Sequence, residues 1–289
     1  MTIATIDIGG TGIKFASLTP DGKILDKAST ATPETLEELL AWLDQRLSER
    51  DYRGIAMSVP GAVNQETGMI EGISAIPYIH GFSWYEVLAH HQLPIHLEND
   101  ANCVGLSELL AHPEIENAAC VVIGTGIGGA MIINGKLHRG RHGLGGEFGY
   151  MTTIEPAEKL NNWSLLASTG NMVRYVIEKS GRSDWDGRKV YQEAAAGNAL
   201  CQEAIERMNR NLAQGLLNIQ YLIDPDVISL GGSISQNPDF IKGVQKAVDT
   251  FVEKYEEYTI APVIQACTYH ADANLYGALV NWLQEENQW

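Results

Sequence analysis

The sequence predicts an α/β protein built from two related halves, each presenting a glycine-rich hairpin of the kind that cradles phosphate. Three stretches carry that prediction. Thr5-Ile6-Asp7-Ile8-Gly9-Gly10-Thr11-Gly12-Ile13-Lys14 runs from a β-branched strand into a loop with three glycines among four residues. Val121-Val122-Ile123-Gly124-Thr125-Gly126-Ile127-Gly128-Gly129-Ala130 repeats the pattern, and Val227-Ile228-Ser229-Leu230 enters a third glycine turn at Gly231-Gly232-Ser233. Loops without Cβ atoms expose backbone N–H groups whose partial positive charge suits phosphate oxygens. In open α/β sheets, ligands bind at the C-terminal ends of the strands, where these loops stand. Asp7 is placed to hold a metal ion beside such an anion. An ordinary glycine-rich turn would explain either hairpin alone; the repetition favours the phosphate reading.

The second loop matches GxGxxG, the dinucleotide fingerprint, but that motif requires a helix immediately after it. Ala130-Met131-Ile132-Ile133 and an Asn134-Gly135 turn follow instead, which read as strand and hairpin. Neither loop ends in Gly-Lys followed by Ser or Thr, so neither is a P-loop.

With 289 residues and a prior of about 150 per domain, two domains are expected. A 45% hydrophobic, 19% charged chain is ordinary for a globular protein and gives no sign of disorder. The net charge of −16 argues against a nucleic-acid surface, which needs a basic patch. The same charge repels anions at long range, so ATP binding would rely on local N–H groups and Mg²⁺. It suits a cytoplasmic enzyme whose second substrate is neutral. Cys103, Cys120, Cys201 and Cys267 are too scattered for a zinc knuckle or a disulfide framework and read as reduced core residues. The N-terminus reads as a strand, not a signal peptide. The most apolar run, Ala118 to Ile133, is too short and glycine-interrupted to span a membrane.

In chain order, Thr32-Pro33-Glu34 reads as cap, first residue and acidic first turn of a helix whose apolar face is Leu36, Leu39, Leu40, Leu43 and Leu47. Ile55 to Val59 is a buried strand stopped by Pro60-Gly61. Ile95 to Leu97 is a strand running into Glu98-Asn99-Asp100-Ala101-Asn102 at a helix start. Helix capping explains one of those polar residues; the cluster exceeds it, and Asp100 is the candidate base. Arg139 to Met151 holds a single carboxylate, Glu147, among Gly143, Gly145, Gly146, Phe148 and Gly149, the arrangement of a ligand-contacting loop. Leu200 to Leu222 is a long helix ended by Asp224-Pro225, and a closing helix runs from about Ala271 through Leu283.

Asp7-Ile8-Gly9-Gly10-Thr11, Glu98-Asn99-Asp100-Ala101-Asn102, Gly124-Thr125-Gly126-Ile127-Gly128-Gly129, Gly145-Gly146-Glu147-Phe148-Gly149-Tyr150 and Leu230-Gly231-Gly232-Ser233 stand in the order seen in the ROK family of sugar kinases, which the chain resembles from Ile3 to about Leu283. The resemblance implies a two-domain, actin-like fold of duplicated ribonuclease-H-like halves with ATP and sugar meeting in an interdomain cleft. The expected division is residues 1–117 plus 271–289 as the smaller domain and 118–270 as the larger. It implies that Asp7 assists Mg²⁺, that Gly9, Gly10 and Thr11 form the first phosphate loop, that Thr125, Gly126 and Gly128 form the second, and that Gly231 and Gly232 approach the adenosine. Gly61, Asn99, Asp100 and Glu147 would bind sugar, with Asp100 taking the proton from the hydroxyl, by family habit the 6-hydroxyl, that attacks the γ-phosphate. A homodimer is the expected assembly.

The departures matter as much. Many members carry a histidine where Tyr150 stands, then a CxCGxxGC zinc motif and a glutamate that contacts the anomeric hydroxyl. Glu158 to Gly170 contains no cysteine, so no structural zinc is expected, and Ser164 is the approximate counterpart of that glutamate. Losing the acidic clamp relaxes the demand for a free anomeric hydroxyl, which points to a β-glucoside or disaccharide as well as glucose; the Glu147-Phe148-Gly149-Tyr150-Met151 wording resembles the β-glucoside kinases of the family. The alternatives are an N-acetylmannosamine kinase, a fructokinase, or a non-catalytic sugar-sensing regulator. Family repressors resemble this chain preceded by a winged-helix segment, whereas here the first loop begins within ten residues of Met1. Keeping both Asp7 and Asp100 is more than a mere sensor requires.

Overall fold

A computed structural model describes residues 2–152 and 161–289. The chain divides into two compact units: Met1–Glu114, Arg139–Gly145 and Ala271–Trp289 form unit 1, and Ile115–His138 with Gly146–His270 form unit 2. The short segment 139–145 therefore packs with unit 1, although it lies in sequence amid the strands and helices of unit 2.

Unit 1 opens with β1 (Ile3–Ile8), buried at every position, and β2 (Gly12–Leu18), paired antiparallel across the glycine turn so that Asp7 stands opposite Lys14. β3 (Ile24–Ala31) adds to the outer edge of β2. The helix that follows, α1 (Leu36–Leu47), is capped by Thr35, whose side chain accepts from the Glu38 N–H. The expected cap, Thr32, is engaged elsewhere: its hydroxyl donates to the Gly9 carbonyl at 2.6 Å and its N–H to the Thr11 carbonyl. Tethered to the first glycine loop, Thr32 cannot start the helix, which begins one turn later. Leu39, Leu43 and Leu47 bury as expected, one i, i+4 row against the sheet.

β4 (Gly54–Val59) runs parallel to β1, and a small hairpin, β5 (Ala62–Asn64) with β6 (Met69–Glu71), precedes the single turn α2 (Trp84–Val87). β7 (Ile95–Asn99) is parallel to β4 and passes directly into α3 (Asp100–Ala111). The sheet order is β3-β2-β1-β4-β7. Phe15, Leu43, Met57 and Trp84 fill one face of it. A sheet covered on both faces demands continuous apolar strands, which is why β1 and β4 show no alternation.

Unit 2 repeats the plan. β8 (Ala118–Ile123) and β9 (Ile127–Ile133) form the second glycine hairpin, and Asn134 and Gly135, at φ 52° and 69°, turn the chain into β10 (Lys136–Leu137). Two successive positive-φ residues are what an Asn-Gly hairpin turn supplies. Four helices follow: α4 (Trp163–Ala167), α5 (Thr169–Ser180), α6 (Gly187–Ala195) and the long α7 (Ala199–Ile223), which ends with Asp224 in the left-handed region. β11 (Val227–Gly231), α8 (Pro238–Lys254) and β12 (Ile264–Ala266) complete the unit. The sheet order, β10-β9-β8-β11-β12, reproduces that of unit 1: an antiparallel meander, then two strands parallel to its last member. α9 (Ala273–Glu285) returns to unit 1, where Leu275, Leu279 and Trp282 cover the second sheet face against Ile3, Ala16 and Ala56.

All four cysteines are buried thiols outside any disulfide, with the Cys120 and Cys267 sulfurs 3.6 Å apart. Among the described residues no helix is long and apolar enough to cross a membrane.

Candidate active site

In unit 1 the first glycine loop closes on itself, the Gly9 N–H donating to the Gly12 carbonyl at 3.1 Å, and leaves Gly10 and Thr11 exposed at its tip. Asp7, at the end of β1, is 5% exposed and has both carboxylate oxygens engaged: Lys14 Nζ donates to Oδ2 at 2.9 Å and Asn274 Nδ2 to Oδ1 at 2.8 Å. Lys14 also donates to the Ala271 carbonyl at 2.6 Å. A carboxylate offers about four lone-pair sites, so Asp7 retains acceptor capacity toward a metal-bound water. Neither Lys14 nor Asn274 was singled out from the sequence. Lys14 follows from the hairpin register once the loop length is known; Asn274, on the closing helix, has no local signal.

The β7–α3 junction gathers the other candidates of this unit. Asn99 is the N-cap of α3, its Oδ1 accepting from the N–H groups of Ala101 (2.9 Å) and Asn102 (3.2 Å). Its Nδ2 donates to the Gly61 carbonyl at 3.1 Å. Gly61 has φ 106°, and a Cβ there would press on the Glu71 carbonyl at 2.9 Å, so the position requires glycine. Asp100 occupies the first position of α3, with its Oδ1 accepting from the Ala101 N–H at 2.8 Å. The structure thus brings Gly61, Asn99 and Asp100 together.

Glu98, the neighbour of the candidate base, is structural. It is 2% exposed and accepts from the Asn99 N–H (2.8 Å), Asn102 Nδ2 (2.8 Å) and Arg139 Nε (2.6 Å). Arg139 also donates through Nη2 to Asn281 Oδ1 at 2.7 Å and Glu285 Oε1 at 2.9 Å. This pairing explains why residues 139–145 pack with unit 1. Burial works against the Arg139 charge, but the Glu98 and Glu285 carboxylates outweigh it and hold the guanidinium above its ordinary pKa.

In unit 2 the second loop is braced from α4 and α5. Ser164 Oγ accepts from the Ile127 N–H at 2.7 Å and donates to the Ile127 carbonyl at 3.2 Å, while the Gly170 N–H donates to the Gly124 carbonyl at 3.1 Å. Ser164 is therefore committed to holding the loop that carries Thr125, Gly126 and Gly128. Glu147 precedes the short turn Phe148–Tyr150 and is half-buried; desolvation pushes its carboxyl pKa up. Tyr150 is exposed. Residues 153–160, which take in the start of the 158–170 stretch read for a zinc motif, lie outside the described residues.

The third glycine turn closes β11. Gly232 has φ 88°, and a Cβ would lie 2.1 Å from the Ile123 carbonyl, so the turn sits directly against the base of the second loop. Beside it opens a cavity of about 580 Å³ lined by Thr169, Arg188, Tyr191, Ser233, Gln236 and Asn237. The Thr169 and Tyr191 hydroxyls are buried there without a hydrogen-bond partner. Burial, with a smaller contribution from Asp239, pushes the Tyr191 pKa up and keeps its hydroxyl protonated. Orphaned buried hydroxyls are costly. The cavity and the close backbone approach at Gly232 fit a nucleotide. Thr169, Arg188 and Tyr191 were not legible in the sequence, because they gather from two separate helices only in the fold.

Duplicated sheets of one topology, a glycine hairpin in each, and a polar cavity at the end of β11 define the actin-like class of phosphotransferases. Residues 3–285 match the ROK family, and the chain belongs to it. It is 35% identical to a β-glucoside kinase of Listeria monocytogenes, over 100% of this chain and 99% of that one. A β-glucoside kinase of Klebsiella pneumoniae is 31% identical over 98% and 97% of the two chains. A crystal structure of a ROK family protein from Streptococcus pneumoniae in complex with sucrose superposes with a TM-score of 0.98, at 88% identity over 100% of both chains.

Proposed function

We propose that the protein is an ATP-dependent sugar kinase that phosphorylates a β-glucoside, at the 6-hydroxyl of its glucose unit. The observation that carries this reading is Asp100, set at the first turn of α3 beside an Asn99 side chain locked onto Gly61. Asn99 and Gly61 position the glucose unit, Glu147 accepts from one of its hydroxyls, and Asp100 accepts the proton of the attacking hydroxyl. Bound MgATP supplies the phosphoryl group, with the metal neutralising charge that spreads over its oxygens in a loose transition state. The chain's own part is positioning and polar stabilisation. Gly9, Gly10, Thr11, Thr125, Gly126 and Gly128 present the phosphate loops, Gly231 and Gly232 give the base its close approach, and Asp7, fixed by Lys14 and Asn274, helps hold Mg²⁺.

Ser164 supports the glycoside preference: its hydroxyl is spent on Ile127, and no carboxylate stands at that position to demand a free anomeric hydroxyl. The relatives named β-glucoside kinase support the same choice, as does the sucrose complex, since both anomeric carbons of sucrose are in glycosidic linkage. In this reading the 158–170 stretch carries no structural zinc, because it holds no cysteine, and the enzyme works in the cytoplasm as a homodimer, as family kinship implies.

The test is coupled ADP release with MgATP against cellobiose, methyl-β-glucoside, glucose, N-acetylmannosamine and fructose. Cellobiose or methyl-β-glucoside should give the highest kcat/KM. Turnover confined to sugars with a free anomeric hydroxyl would overturn the glycoside reading, and sugar binding without any turnover would replace the kinase with a sensor.

A further inference from the structure

Away from the candidate active site, on the side of unit 1 where α1 meets the turn leading into β7, one carboxylate faces two imidazoles. Asp44 Oδ1, on α1, lies 2.8 Å from His91 Nε2 and 3.1 Å from His90 Nε2. The two rings sit 4.1 Å apart, centroid to centroid. The three ligand atoms all lie within 4.8 Å of one another.

The hydrogen-bond geometry of His90 gives this cluster its meaning. Its Nδ1 is 3.1 Å from the Val87 carbonyl, which can only accept, so Nδ1 carries the proton. In the neutral ring Nε2 is then a bare lone pair, and it is aimed at another acceptor, the Asp44 carboxylate. Two acceptors at 3.1 Å repel unless something positive lies between them. A divalent cation satisfies all three groups at once. A histidine that donates one ring N–H to a backbone carbonyl while its other nitrogen points at a shared centre has the outer-shell arrangement found at metal sites.

We propose that Asp44, His90 and His91 form a binding site for a borderline divalent cation of the Zn²⁺ class. Zn²⁺ bonds of about 2.0–2.1 Å in a tetrahedron set ligand atoms roughly 3.3 Å apart, so the 2.8 and 3.1 Å separations must open by a few tenths of an ångström, and the two imidazole nitrogens, within 4.8 Å of each other, must come to the same spacing. Imidazole and carboxylate donors without thiolate favour Zn²⁺, Co²⁺, Ni²⁺ or Cu²⁺ over Mg²⁺ or Ca²⁺. The fourth position is open to water, because His90 is 56% and Asp44 45% exposed. The ion would tie α1 to the turn Ala89–His91, whose chain continues through Gln92, left-handed at φ 55°, into β7. It would act on the stability of unit 1, with no part in phosphoryl transfer. The site stands or falls independently of the kinase reading.

The experiment uses tag-free, full-length protein stripped with chelator and dialysed. Calorimetric titration with ZnCl₂ should show one site per chain, and Co²⁺ should give the visible absorption of a tetrahedral ion. Zinc at about a hundred times Kd should raise Tm by roughly 5 °C, reversed by chelator. His91→Gln and Asp44→Asn should each weaken binding by tenfold or more, while His112→Gln, at a histidine outside the cluster, leaves it unchanged. His90→Gln is the second variant on the imidazole side should His91→Gln misfold. Absence of a stoichiometric site at millimolar zinc, or binding that survives the cluster variants, would overturn the proposal, as would a Mg²⁺ affinity equal to that for Zn²⁺.

Discussion

Replacing Arg139 with methionine keeps most of the side-chain volume and removes the charge that Glu98 faces. Glu98 is 2% exposed, and Arg139 Nε supplies its shortest bond, at 2.6 Å. Breaking a fully buried ion pair costs about 3–5 kcal/mol, because one charge is left uncompensated. Two features lower the figure here. Arg139 is 29% exposed, so water screens part of the pair, and Glu98 keeps its bonds from the Asn99 N–H and from Asn102. A charged hydrogen bond of this kind is worth about 1.5–3 kcal/mol, so roughly 2 kcal/mol is expected, a fall in Tm of about 4–8 °C. The discriminating assay is a thermal double-mutant cycle with Glu98→Gln. In that background there is no buried charge to strand, and Arg139→Met should cost about 1.5 kcal/mol less. An Arg139→Met variant that melts within 1 °C (roughly 0.3 kcal/mol) of the parent, or that costs as much in the Glu98→Gln background as in the parent, would refute the reasoning.

Gly232→Ala should lower Tm by several degrees and raise the KM for ATP more than that for sugar, because it combines strain of about 1–3 kcal/mol at φ 88°, ψ 166°, a conformation open essentially to glycine alone, with a collision at Ile123; an unchanged ATP KM would remove Gly232 from the nucleotide site. Glu147, its pKa raised by burial, should lose sugar affinity as pH falls through that raised pKa, so the acidic limb of kcat/KM lies above the ordinary glutamate range and vanishes in Glu147→Gln. Stability carries the opposite sign: a carboxyl whose folded pKa is raised makes its full contribution below the unfolded value and loses it as pH rises through the folded value. Chemical melts of parent and Glu147→Gln across that window should converge at acid pH and favour the variant at neutral pH; parallel curves would contradict the assignment.

The sheets were legible from the sequence because they are written twice. Two glycine hairpins flanked by β-branched runs, each followed by a turn dipeptide, specify two antiparallel meanders, and they put the glycine loops proposed to hold phosphate at the strand ends. The start of α1 was misread: Thr32-Pro33-Glu34 has the local grammar of a cap, yet Thr32 is held by Gly9 and Thr11, and tertiary tethering outranks capping propensity. Glu98 stands in the same polar run as Asp100, and only the fold shows its burial and its pairing with Arg139, 41 residues away, which make it a support. Ser164 is legible only as the approximate counterpart of the family's glutamate; its bonds to Ile127, which hold the second loop, come from the fold. Capping by Asn99 and the junction at Asp100 were readable, since both depend on adjacent residues. Thr169, Arg188, Tyr191 and Asn274 were not, since each reaches its site through the packing of separate helices and carries no motif.

The central claim is that Asp100 takes the proton of a sugar hydroxyl as phosphate is transferred. The most direct test compares the parent and Asp100→Asn in MgATP-dependent ADP release on cellobiose, with sugar binding followed in parallel. The account predicts a kcat lower by about 10²-fold or more with sugar affinity changed little, since asparagine keeps the shape and loses the base. A variant that retains kcat within a few-fold, or that loses activity only because it no longer binds the sugar, would contradict it.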